Sequence, residues 1–314
     1  MTAPAETAAL DARRVRLGLA VAVGSGALVA LQQRINGELG TRLDDALTAA
    51  VVSFGTGLVA VAAIVLARPA ARRALPLVRR TTAWRRLGGL GGASLVAVGA
   101  VAAPQIGVAL LTVGLVAGQT GGGILVDRAG LGPGGRRPMT GPRAAGALLC
   151  LVAVVLASAG RGARDADPLL LLLVVLAGGL IAVQQALNGR VRTTTGDAGV
   201  ATLVNFVVGT TALLLGLAVH AAVSGLALQD WPGPGEWWLY LGGPIGATFV
   251  AVAAVVVHLV GVLRLGLAVI AGQLVGAVLL DVVVPADGAT LSALTVLGAA
   301  LTLVAVGVSG RAAR

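Results

Sequence analysis

Two stretches decide the fold of this chain: Gly26 to Gly57, GALVALQQRINGELGTRLDDALTAAVVSFGTG, and Gly178 to Gly209, GGLIAVQQALNGRVRTTTGDAGVATLVNFVVG. Laid on each other without a gap, they agree at 14 of 32 positions. Alanine and glycine matches weigh little in this composition. The shared QQxxNG weighs more, because glutamine and asparagine are scarce: Gln32, Gln33, Asn36 and Gly37 fall on Gln184, Gln185, Asn188 and Gly189. Asp45 then falls on Asp197, Phe54 on Phe206 and Gly57 on Gly209. A second block recurs at a spacing of 154 residues, where Ala117, Gly118, Gln119 and Asp127 match Ala271, Gly272, Gln273 and Asp281. The chain is a duplication.

The composition says what kind of unit is duplicated. Of 314 residues, 57% are hydrophobic and 11% charged, with a mean hydropathy of +0.95. Soluble domains carry about 25% charged residues, so this chain cannot keep its surface wet. A single Cys150 excludes an internal disulfide and any cysteine-built cluster, and His220 and His258 are too few for an imidazole metal centre. Neither a metal nor a cofactor is expected.

A helix crossing the roughly 30 Å hydrocarbon layer needs about 20 apolar residues. Ten runs qualify: Leu17 to Ile35, Leu47 to Ala67, Leu87 to Ala103, Gln105 to Val126, Arg143 to Ala159, Pro168 to Leu187, Val200 to Val223, Trp237 to Val257, Leu259 to Val284 and Leu291 to Ser309. Residues 1–16 read as a polar, disordered tail. The first run recurs in the second half and no small-residue cleavage site stands out, which argues against a signal peptide.

All 23 basic residues are arginines. A net charge of +10 ordinarily points to nucleic acid, but the arginines are sorted by loop. With ten spans, 19 of them fall on the side of the N-terminus, seven in the loop 68–86 alone, and only Arg34, Arg42, Arg161 and Arg164 fall on the other. Basic residues collect on the cytoplasmic side, so both termini are expected in the cytoplasm, in a plasma (inner) membrane, with no nucleic-acid partner. Four of the eight aromatic residues, Trp231, Trp237, Trp238 and Tyr240, gather where the eighth span starts, at headgroup level.

Each half then holds five spans. An odd number makes the second half enter from the opposite side, so the expected fold is an all-α membrane protein of ten transmembrane helices in a 5+5 inverted-topology repeat, 17–160 and 161–314. The seven-arginine loop corresponds to one without arginine that carries Asp230 and Glu236, which fits opposite sides. Inverted repeats mark secondary transporters, because the pseudo-two-fold provides two packings, one open to each side.

Polar groups inside spans are the functional candidates. Gln32, Gln33 and Asn36 share a helix face by their spacing, as do Gln184, Gln185 and Asn188. These amides both donate and accept, which suits a neutral or zwitterionic solute. The alternative makes Asn36-Gly37 and Asn188-Gly189 helix ends and the glutamines bridges between helices. Gln119 and Gln273 lie deep in the fourth and ninth spans, each after a glycine that permits close approach. Asp127 and Asp281 end those spans as solvated or ion-paired termini, or as gating or proton-linked groups. Gln105 and Asn205 are weaker candidates. No carboxylate sits in the middle of a span, and there is no GxxxxGK[ST] phosphate loop.

QQxxNG, the Phe54 and Phe206 of xFxxG, and AGQ-x7-D together resemble the YdcZ-type branch of the drug/metabolite transporter superfamily, here as a fused pair of five-helix units. The resemblance covers about Leu17 to Ser309 and implies an inner-membrane 5+5 bundle with a transport role. One departure is that Glu38 and Asp44 face Arg190 and Gly196. The expected function is secondary transport of a small polar or amphipathic metabolite or drug-like solute by alternating access, the solute and the bilayer being the partners. A non-transporting scaffold or channel-like protein is the alternative. A membrane-embedded lipid enzyme is disfavoured because no cluster of Asp or His appears.

Overall fold

The computed structural model describes residues 4–158, 168–225 and 231–283 with 297, 300, 301, 304, 305 and 308; at several, 103–113 and 281–283 among them, it describes the backbone alone. These residues form α1 (Pro4–Leu43), α2 (Ala46–Ala67), α3 (Pro69–Ala74), α4 (Gly89–Ala129), α5 (Gly141–Ser158), α6 (Pro168–Thr195), α7 (Ala198–Ser224), α8 (Gly242–Val260) and α9 (Val262–Val283). Turns of 3-10 helix, Leu75–Arg80, Ala83–Arg86 and Pro234–Leu241, fill the connections, and no strand occurs among the described residues. Five stretches are long and apolar enough to cross a bilayer: Ala12–Leu43, Ala46–Ala67, Pro168–Thr195, Ala198–Val223 and Pro234–Val260. Gly89–Gly99, Gly141–Ala153 and Val262–Gly276 are shorter apolar helices. Apart from six positions, the run Leu291 to Ser309 lies outside the described residues.

Three expectations change. The tail expected to be disordered to residue 16 is helical from Pro4. Its Ala, Leu, Glu and Arg are strong helix formers, and extending an existing helix is easier than nucleating one. Asn36-Gly37 and Asn188-Gly189 do not end helices, because α1 continues to Leu43 and α6 to Thr195. The chain reverses instead at Asp44 (φ 51°) and Gly196 (φ 72°), both left-handed, so the Asp-for-Gly departure keeps one backbone conformation that aspartate tolerates. Asp45 and Asp197 follow as N-caps: the Asp45 carboxylate accepts from the Leu47 and Thr48 N–H at 2.7 and 3.0 Å, and that of Asp197 from Val200 at 3.1 Å.

The third change concerns the expected runs Leu87 to Ala103 and Gln105 to Val126, which form the single α4 of 41 residues. A straight helix of that length is about 60 Å long, yet both its ends pack on the middle of α6. Gly88 meets Asn188, Gly91 meets Leu180 and Gln184, and Ala102 clusters with Leu170 and Val174, so the first limb runs against α6. Gly114 then meets Val174, Gly118 meets Val175, and Gly122 meets Gly179 and Ala182, so the second limb runs with it. The chain therefore reverses within α4, between 102 and 114.

The other half repeats this grip. Gly242 meets Asn36, Gly246 meets Gln32, and Gly18 meets Val256 and Leu259, so α8 runs against α1; Gly272 packs on Val23 and Gly276 on Ala27, so α9 runs with it. Each half's first helix is held by two limbs of the other half. Equivalent helices also meet directly and antiparallel: Gly57 against Phe206 and Gly209 against Phe54 in α2 and α7, Gly123 against Leu263 and Gln119 against Gly266 in α4 and α9.

Lipid is as apolar as leucine, so close backbone approach and polar contacts, not hydrophobicity, hold such helices together. The central cluster fits this: Ala22, Val126, Ala182, Ala186, Ala253, Val257 and Ala268 join five helices through small side chains. Many large side chains face outward, among them Val59, Leu172, Leu176, Leu215 and Val219.

Candidate substrate pathway

The amide faces meet a glycine motif from the opposite half. Residues 88–92 read GGLGG and 242–246 read GGPIG, 154 residues apart like the AGQ block. The bare glycine surface leaves room for an amide. The Gly92 N–H donates to Gln184 Oε1 at 2.6 Å, and the Asn188 amide lies against Gly88 and accepts from Asn205 Nδ2 at 3.2 Å. In the other half Gln32 packs on Gly246, and Asn36 on Gly242 beside Ser53. There the bonds are missing: Asn36 Oδ1 and Ser53 Oγ are buried without a partner among the described residues. The equivalent of Ser53 is Asn205, whose longer amide reaches Asn188 where a hydroxyl stops short.

The second glutamines also differ. Gln33 is exposed, whereas Gln185 is 1% exposed and neither of its amide atoms has a partner among the described residues. A buried polar atom without a hydrogen bond costs about 1–3 kcal/mol, so Gln185 marks a place where something else supplies the bond. Between these faces Phe54 and Phe206 touch, ring centroids 5.1 Å apart at 34°. Equivalent residues in contact straddle the axis relating the halves. Gln119 is half-buried between α4 and α9 against Gly266, and Gln273 is half-buried on α9. Gly118 and Gly272 do permit close approach, each lying against a carbonyl of the first helix it touches. The side chains of Gln105 and Asp281 lie outside the described residues.

Asp127 is 2% exposed and joins the halves. α4 closes at left-handed Gly130 (φ 70°) with the Leu131 N–H on the Val126 carbonyl, which turns Asp127 toward the start of α9. There its Oδ1 accepts from the Val262 N–H at 2.9 Å and its Oδ2 from Leu263 at 3.3 Å, while Arg143 forms a buried ion pair with it. Arg137 crosses the α8–α9 turn and donates to the His258 and Leu259 carbonyls at 2.9 and 3.3 Å. Burial lowers the pKa of Arg137, the Asp127 charge opposes this, and Arg143 adds to it. His258 Nδ1 lies 3.1 Å from Arg192 Nη1.

A cleft of about 800 Å3 opens elsewhere, between the start of α2, the first limb of α4 and α7, lined by Asp45, Leu90, Ser94, Leu213 and His220 among others. None of the eight amide residues lines it. The GGxxG pairs, the cleft and the partners of Asp127 escaped sequence reading, although the 154-residue spacing of the glycines was a usable signal.

A search of curated proteins gave no match. Among solved structures, a crystal structure 21% identical aligns with a TM-score of 0.69 over 96% of this chain and 97% of the other, which shows a shared fold. The family model described as "Putative inner membrane exporter, YdcZ" matches twice, at residues 17–156 and 169–308. That description is of a membrane transporter family and not of an enzyme family, and its match with the apolar helices identifies a multi-pass inner-membrane protein of transporter type. The chain belongs to the YdcZ family of the drug/metabolite transporter superfamily and carries the family's unit twice.

Proposed function

We propose that this chain is a ten-span secondary transporter, its five-helix repeats 17–160 and 161–314 inserted in opposite senses with both termini cytoplasmic, that carries a small polar or amphipathic solute by alternating access. The observation that carries this reading is the mutual grip. Each repeat's first helix is held by the other's limbs through equivalent glycines, so rocking one repeat against the other exchanges equivalent interfaces and leaves two packings close in energy. The reversal inside α4 and the 19 to 4 sorting of arginines support the span count and the orientation.

In this reading the solute passes the amides of Gln32, Gln33, Asn36, Gln119, Gln184, Gln185, Asn188 and Gln273. The unpartnered atoms of Asn36, Ser53 and Gln185 are its contacts. Asp127 holds the cytoplasmic end shut by tying α4 to α9, and Asp281 is its counterpart.

The test is flux. Reconstituted vesicles should take up a solute found by metabolite screening, with saturation and with acceleration by the same solute inside. Flux that never saturates, from folded protein, overturns the carrier reading. Gln33→Cys and Gln185→Cys, made with Cys150→Ala, should be labelled by a water-soluble thiol reagent during turnover. No labelling from either side removes them from the pathway.

A further inference from the structure

Where α4 ends and α9 begins, positive charge is buried in excess. Arg137, Arg143 and Arg264 gather around one carboxylate, Asp127, and Arg143 and Arg264 are each only 6% exposed. The carboxylate is already occupied by Arg143 and by two backbone N–H groups of α9. The Arg137 side chain donates to the carbonyls ending α8. Two donors remain. Arg143 Nε has no partner, and Arg264, on the first turn of α9 and within electrostatic range of the other two arginines, has a buried Nε and no hydrogen bond or ion pair among the described residues. Guanidinium groups closed off from water without a counter-charge are expensive to keep. The 22-residue α9 adds the positive end of its dipole at the same place.

We propose that this cluster is a binding site for one phosphate-type oxyanion, held by Arg264 and the Nε edge of Arg143 at the N-terminus of α9. Three guanidinium charges against one carboxylate leave two unbalanced, which a doubly charged phosphate neutralises. Planar guanidinium edges also match phosphate oxygens in pairs. Two sources share the site's chemistry: a free phosphate group, alone or on a small molecule, and the phosphate of an anionic lipid headgroup, enriched in the cytoplasmic leaflet.

The experiment uses the full chain, purified free of anionic lipid. Inorganic phosphate is titrated at constant ionic strength in neutral detergent, and separately the chain is placed in nanodiscs of phosphatidylcholine with or without phosphatidylglycerol. The expected result is a rise in Tm of a few degrees that saturates, in the first arm for a free phosphate and only in the second for a headgroup. A general salting effect would climb without saturating. Arg264→Gln should abolish the rise, and Arg264→Lys, which keeps the charge without the planar edge, should retain part of it. No saturating rise in either arm overturns the proposal, as does a full rise in R264Q. Native mass spectrometry of the unaltered chain needs no variant: one retained phosphate or phosphatidylglycerol per chain supports the site, and none overturns it.

Discussion

Arg68 and His220 hold the same place in the two repeats, 152 residues apart, and so do Asp197 and Asp45, yet the two ends have settled differently. Arg68 Nη2 lies 3.1 Å from Asp197 Oδ2, whereas His220 and Asp45 stand at the cleft of about 800 Å3. The segments that follow the second helix of each repeat explain the difference. After Arg68 the chain packs Ala71, Ala74, Leu75, Leu77 and Val78 onto α2, α7 and α8, which fills that end. After His220, α7 runs on to Ser224 and leaves Gly225 on the cleft wall. The lesson is that two equivalent scaffolds hold one end packed and leave a cleft at the other, which is the asymmetry the proposed alternating access requires of a single conformer.

The comparison breaks most severely at Asp127, the strongest tie at the packed end. Asp127→Ala strands Arg143 in a site where the pair is 3% and 7% exposed, and removing one partner of such a pair costs about 3–5 kcal/mol. Denaturation in detergent should show that loss, with partial recovery in the double variant Asp127→Ala, Arg143→Met. Equal stability of wild type and Asp127→Ala would mean that the tie does not hold the ends together.

The equivalent glycines come next. An added methyl at Gly89 would overlap the Asn205 carbonyl, and one at Gly243 the Ser53 carbonyl. Gly89→Ala and Gly243→Ala should therefore each cost about 1–3 kcal/mol, the usual range for overpacking. Gly24→Ala and Gly55→Ala, which meet open space, should not destabilise by that mechanism. Thermal denaturation of the four variants measures the equivalence of the two grips directly, and a large cost on one side alone would deny it.

The smallest effect is the most specific. Arg68 is 53% exposed in its side chain, and ion pairs this wet contribute about 0–1 kcal/mol, so the pair adds little to holding that end packed. His220→Arg places the packed end's pair at the cleft and should lower labelling of a Ser94→Cys thiol severalfold at most. Arg68→Gln should raise labelling of a cysteine at position 199, beside Asp197. If neither rate moves, the two ends differ for some reason other than these pairs.

The repeat, the apolar runs and the paired amides were legible because each is a local pattern: scarce residues at fixed spacing, or hydropathy sustained over a span. The swap of partners was not. Gln184 finds Gly92 and Asp127 finds Val262, contacts 92 and 135 residues apart in sequence. The asymmetry between Gln33 and Gln185 was likewise invisible, since identical residues in equivalent helices acquire different surroundings only after packing.

Sequence alone determined that this chain is a duplicated, helical, membrane-embedded unit, because bilayer thickness and the lack of water inside it impose length and composition residue by residue. Tertiary structure alone decided that each half grips the other, which end is packed, and where buried charge lacks a partner among the described residues. Those outcomes depend on the distances between side chains far apart in the chain, and packing sets those distances.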